Sequence, residues 1–127
     1  MEIAVKKHEL TIVERINKDI RNLNRIFKNL DDEVRKIADG IIKRVAFMKV
    51  TLEDLERDLN ENGYTEKFTQ SADVEAYDRK RPAVEIYNTT IKNYLSACRQ
   101  LQDLLPKPSE NGKREDEFDA YLKLGNS

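Results

Sequence analysis

One cysteine, Cys98, is all the thiol chemistry that the sequence offers. A lone thiol excludes an internal disulfide framework and fits a reducing compartment. Histidine is equally scarce: His8 stands alone near the N-terminal end, where a surface role is expected. With no second Cys or His to join them, neither a nucleophilic triad nor a zinc site can be assembled. No glycine-rich run exists to cradle a phosphate. Charge of one sign is missing too, because a net charge of -1 gives no global basic field; any polyanion contact must come from a local patch. No apolar run is long enough for a signal peptide or a membrane span. The expectation is an intracellular protein without membrane, metal or cofactor, and not an enzyme.

Four glycines and three prolines leave long stretches without a helix breaker, and no alternating Val/Ile/Thr run reads as a strand. What is present is helical periodicity. From Val84 the apolar positions run Tyr87, Ile91, Tyr94, Cys98, Leu101 and Leu105, a heptad seam, and Glu85, Lys92 and Arg99 all fall on its outer side. The flanks of that seam are Ala83, Asn88, Thr90, Leu95, Ala97, Gln102 and Leu104. In a chain that is 37% charged, flanks without charge point to contact with protein in place of water. A homo-oligomer of more than two copies is expected, with Tyr87, Asn88, Ile91, Tyr94, Leu95, Leu101 and Leu104 at its interface.

The same period runs through Val13, Ile16, Ile20, Leu23, Phe27 and Leu30, continues at Val34, Ile37 and Ile41, and resumes at Val45, Met48, Leu52, Leu55 and Leu59. Asp31 or Asp32 can cap a new helix with acid in its first turn, so a break near residue 31 is expected within this long phase. Gly63 suits a helix stop and Pro82 a helix start. The predicted organisation is all-α: a basic N-terminal segment 1–30 with its helix over 9–30, and a coiled-coil-like hairpin core 31–105. That core has helices at 32–62 and 83–105 and a loop at 64–81, and a flexible tail follows at 106–127. Pro106 and Pro108 stop the last long helix. In the tail, Phe118, Tyr121 and Leu122 share one side of a short helical turn suited to docking on a partner.

Arg15, Lys18, Arg21, Arg25 and Lys28 stand against the single acid Asp19, and the last four recur on the side opposite the apolar seam. A basic stripe of this kind is the footprint of a phosphate-backbone contact. Asn17, Asn22, Asn24 and Asn29 could add hydrogen bonds, and Arg79, Lys80 and Arg81 form a second cluster. Acidic runs at 31–33 and 53–56 read as a helix start and a solvated face.

The phrases "VAFMKVTLEDLERDLNENG" at 45–63 and "RPAVEIYNTTIKNYLSACRQLQDLLP" at 81–106, with "EDEFDAYLK" in the tail, resemble a branch of the phage terminase small subunits. That resemblance implies an oligomer, built on the 32–62 and 83–105 hairpin, that binds double-stranded viral DNA in the host-cell cytoplasm. It also implies regulation of the large terminase subunit, which holds the ATPase and nuclease; the tail is expected to dock on that subunit or on another motor component. The chain departs from members with an N-terminal helix-turn-helix, because no glycine turn splits its first segment into two short helices. Backbone contact is therefore expected in place of sequence reading. The other function open to the sequence is a homo-oligomeric coiled-coil adaptor with no nucleic-acid role.

Overall fold

The computed structural model describes residues 9–105 and 117–123; His8, Pro106, Pro108 and the polar stretch after them lie outside the described residues. The order is α1 (Ile12–Ile26), α2 (Asp32–Asn62), β1 (Thr65–Phe68), β2 (Tyr77–Lys80), α3 (Pro82–Leu104) and a short α4 over 117–123. The break expected near residue 31 is real. Thr11 starts α1 with a reciprocal capping box, its hydroxyl accepting from the Glu14 amide while the Glu14 carboxylate accepts from the Thr11 amide. Asp31 then opens α2 with Asp32 and Glu33 in the first turn, where acid favours the helix dipole, and the Arg35 guanidinium ties the turn by donating to the Lys28 carbonyl at 3.1 Å.

Gly63, at a φ of 78°, ends α2 in a conformation that a side chain would resist. Beyond it the chain does not form the plain loop expected over 64–81. β1 and β2 pair antiparallel, with Glu66 opposite Arg79, Lys67 opposite Asp78 and Phe68 opposite Tyr77. Both polar pairs are ion pairs, at 2.7 and 3.0 Å, and the Arg79 guanidinium lies 3.8 Å over the Phe68 ring. Cross-strand complementarity of this kind stabilises a ribbon that has no apolar face of its own. Arg81 fixes its base, donating to both Asp58 carboxylate oxygens at 2.9 Å and to the Gly63 carbonyl at 2.9 Å.

Pro82 then starts α3, which runs back along α2. Tyr94, Cys98 and Leu101 of its seam are buried against Ile42, Val45, Ala46 and Leu52, while Tyr87, Ile91 and Leu104 are partly buried. The seam is therefore an intramolecular one. Tyr94 and Leu101, expected at an oligomer interface, sit instead in the core of the single chain, and Asn88 and Leu95 are the members of that set left exposed. Ile37, expected on the apolar seam of α2, is 58% exposed. The buried line of α2 runs instead through Ala38 and Ile42, with Ile41 partly buried beside it.

α1 packs along the side of α2 through Leu23, Ile26 and Phe27, and α4 closes the groove beside it. Phe118 is fully buried, with its ring edge-on to Phe27 at 5.2 Å, and Tyr121 stacks on Phe118 at 5.8 Å. The expectation that Phe118, Tyr121 and Leu122 dock on another protein is thereby corrected. The apolar side of this helix folds into its own chain, because that groove already offers a buried aromatic and a polar partner for the tyrosine.

Candidate nucleic-acid interface

α1 turns two kinds of basic residue in two directions. Arg15 points toward α2, donating to the Asp54 carboxylate at 2.7 Å and to Glu53 at 3.1 Å. The hydrogen bond it donates to Asp54, and after it the one to Glu53, raises its pKa against the opposing effect of burial. A guanidinium held by two carboxylates clamps α1 to α2 and has little left for a phosphate. Arg15 is thus removed from the expected DNA-binding set.

Lys18, Arg21, Arg25 and Lys28 are exposed, and none makes an ion pair among the described residues. The step from Lys18 to Arg21 to Arg25 keeps three of them on the α1 face that α2 does not touch, and Lys28 follows on the turn. Arg25 also holds Asn22, donating to its side-chain oxygen. Asn24 is not the outward-facing donor expected beside these bases, since its side-chain oxygen is buried without a hydrogen-bond partner. Lys36 and Lys43 of α2 are likewise exposed and make no ion pair among the described residues. At the turn the run of bases meets Asp31, Asp32 and Glu33, which close off that end of the patch.

The cluster at the other end of the molecule is electrostatically spent. Arg79 pairs with Glu66, Lys80 with Glu85, and Arg81 with Asp58. The Lys80 contact, with its hydrogen bond first, holds the Glu85 carboxyl below the usual range. Asp58 is likewise lowered, first by Asn62 and then by Arg81. Two regions that look alike in sequence thus differ in available charge: among the described residues the bases at 79–81 are ion-paired, and Lys18, Arg21, Arg25 and Lys28 are not.

Beneath that face lies a polar centre that sequence reasoning missed. Asp19 accepts from Tyr121 Oη at 2.7 Å and from Lys49 Nζ at 3.2 Å, and the Lys49 ammonium lies 4.0 Å from the Tyr121 ring centre. The only signal is Asp19 itself, a single acid inside a run of bases. Tyr94 and Cys98 adjoin this centre. Burial pushes the Cys98 thiol up to about 11, so it is no nucleophile. Burial first, and then neighbouring charge, raises Tyr94 and Tyr121 as well.

These raised values predict alkaline lability. Below the ordinary thiol range both folded and unfolded Cys98 are protonated, and stability is complete. Above about pH 9 the unfolded chain releases the proton that the folded chain keeps until about 11, so stability falls across that window. The loss from Cys98 is on the order of 2 kcal/mol, with the tyrosines acting in the same direction. Urea midpoints should match at about pH 7 and about pH 8 and drop near pH 10.5, and Cys98→Ala should reduce the drop.

Comparison with protein-family models, with curated proteins and with solved structures gave no match. Among the described residues no helix is long and apolar enough to cross a membrane, and no cluster of His, Cys, Asp or Glu is arranged to hold a metal ion.

Proposed function

We propose that the chain is a DNA-packaging adaptor of the small-terminase kind, an oligomer that grips duplex DNA by its phosphates and passes it to a large ATPase/nuclease subunit. One observation carries this reading: Lys18, Arg21 and Arg25 on α1 and Lys28 on the turn after it stand exposed and without an ion pair among the described residues, while the bases of the β1–β2 ribbon are neutralised within the chain. A cation without an internal partner is free to displace counterions from DNA, and that displacement supplies most of non-specific affinity. The contact is to backbone in place of sequence, because α1 is followed by one 31-residue helix and not by the short helix pair that seats a recognition helix in the major groove.

Fluorescence anisotropy with a labelled duplex tests it. Four phosphates per engaged subunit give a log–log salt slope of about -3.5, or about a hundredfold loss from ~50 to ~200 mM salt. Arg21→Glu with Arg25→Glu should weaken binding to every sequence and flatten the slope, with helical content unchanged. Binding that survives the double reversal would remove α1 from the contact. A second reading, an adaptor that assembles without touching nucleic acid, is favoured by the uncharged side of the hairpin. The same titration separates the two, because that adaptor shows no salt-dependent binding.

A further inference from the structure

Among the described residues, α1 and α4 cover only one side of the α2–α3 hairpin. Lys49 and Glu53 of α2 bond to Asp19 and Arg15 of α1, and at about 100° per residue Ile37, Arg44 and Thr51 fall largely opposite them. On that open side α2 presents Ile37, Ile41, Arg44, Met48, Thr51 and Leu55, at alternating steps of four and three. α3 presents Ile86, Thr90, Asn93, Ala97, Gln100 and Leu104 at the same steps. Arg44 is the one charge among these positions, in a chain where 37% of residues are charged. Ile37 is 58% exposed and Ile86 52%. Between the stripes runs a groove of about 470 Å³ whose lining includes Ile37, Ile41, Arg44, Met48, Ala97 and Gln100, with open space where a side chain at Gly40 would stand.

We infer that this open side is a contact between two copies of the chain, hairpin on hairpin, in a four-helix layer. The inference deepens the oligomeric part of the proposed function and rests on it. Charge selects the occupant. Nucleic acid finds no row of cations here, and an acidic or basic peptide finds no complementary row, whereas a neutral surface meets its own copy without an unpaired charge.

Geometry agrees. A two-fold axis parallel to the helices lays α2 of one copy antiparallel on α3 of the other, so Arg44 faces the level of Asn93 and Gln100, whose amide oxygens accept its N–H groups, and not a second Arg44. The stretch from Ile37 to Leu55 rises about 27 Å and two helices side by side span about 20 Å. That is roughly 500 Å² from each copy, or about 1,000 Å² in total, the size at which specific pairs begin. Gly40 and Ala97, small residues beside the groove, let the facing helices approach closely.

Sedimentation equilibrium of the full chain, with circular dichroism as the folding control, tests this. Wild type should show an even multiple of the chain mass. Ile37→Glu with Ile86→Glu should lower that mass at least twofold with helicity retained, since both side chains are already exposed. Leu95→Glu, on the other flank of α3, should leave it unchanged. A single-chain mass for wild type in the micromolar range, or an unaltered mass for the double variant, overturns the inference. If Leu95→Glu alone dissociates the assembly, this contact is wrong while the oligomeric reading stands. DNA affinity, read separately through Arg21 and Arg25, reports on the other half of that reading.

Discussion

Phe118→Ala is expected to destabilise the chain by about 4 kcal/mol and to lower its melting temperature by about 15 °C. The phenyl ring is fully buried, edge-on to Phe27 and stacked on Tyr121, so truncation removes both transfer free energy and two aromatic contacts. A helix as short as 117–123 has no stability alone and exists only while docked. The cost of Phe118→Ala therefore cannot exceed the free energy of docking α4. Truncation ahead of residue 117 measures that ceiling. Equal losses for the two variants mean that alanine releases α4 entirely; a smaller loss for alanine means that Tyr121 still holds it. Urea denaturation of both variants checks this, and a change below about 1 kcal/mol for Phe118→Ala would remove α4 from the folded core.

The aromatic spacing in the tail is legible in the sequence, but its destination is not. Periodicity says that Phe118, Tyr121 and Leu122 share a side; it does not say whose groove that side enters. The same limit applies to α3. Its seam from Tyr87 to Leu105 is where the sequence places it, yet heptad spacing is the same for a partner in the same chain and for one in another, so spacing alone assigns Tyr94 and Leu101 to the wrong contact. Helix ends are read more securely because their chemistry is local: the break before Asp31, the stop at Gly63 and the start at Pro82 each depend on one or two residues. The β1–β2 ribbon is hidden for the converse reason. Its strands alternate no apolar residues, and the match of Glu66 with Arg79 and of Lys67 with Asp78 exists only once the register is known. In the basic run, composition counts Arg15 with the others but cannot show that Glu53 and Asp54, nearly forty residues on, lie beside it.

Asp19→Ala is expected to cost about 3 kcal/mol, more than any change among the exposed bases around it. The Asp19 and Lys49 side chains are only 11% and 16% exposed, so each has given up most of its water. Removing the carboxylate leaves an ammonium without a counter-charge and a Tyr121 hydroxyl without its acceptor, and an orphaned buried group costs its full desolvation. The pair itself contributes far less than this figure, because desolvating both ions offsets most of their attraction. Lys49→Met added to Asp19→Ala should therefore recover much of the lost stability, as a side chain of similar length replaces the stranded charge. The double-mutant cycle should give a coupling of about 1–3 kcal/mol; additive single costs would show that the two groups act independently. Adding Tyr121→Phe to Asp19→Ala removes the stranded hydroxyl in turn. The network ties α1, α2 and α4 at one point, and it is this tie, together with the Arg15 clamp, that holds Lys18, Arg21 and Arg25 outward. Under the proposed DNA contact, Asp19→Ala should weaken duplex binding only in proportion to the fraction unfolded, with the salt slope of the folded fraction unchanged. A flatter slope at full helicity would instead make Asp19 part of how the basic face is presented.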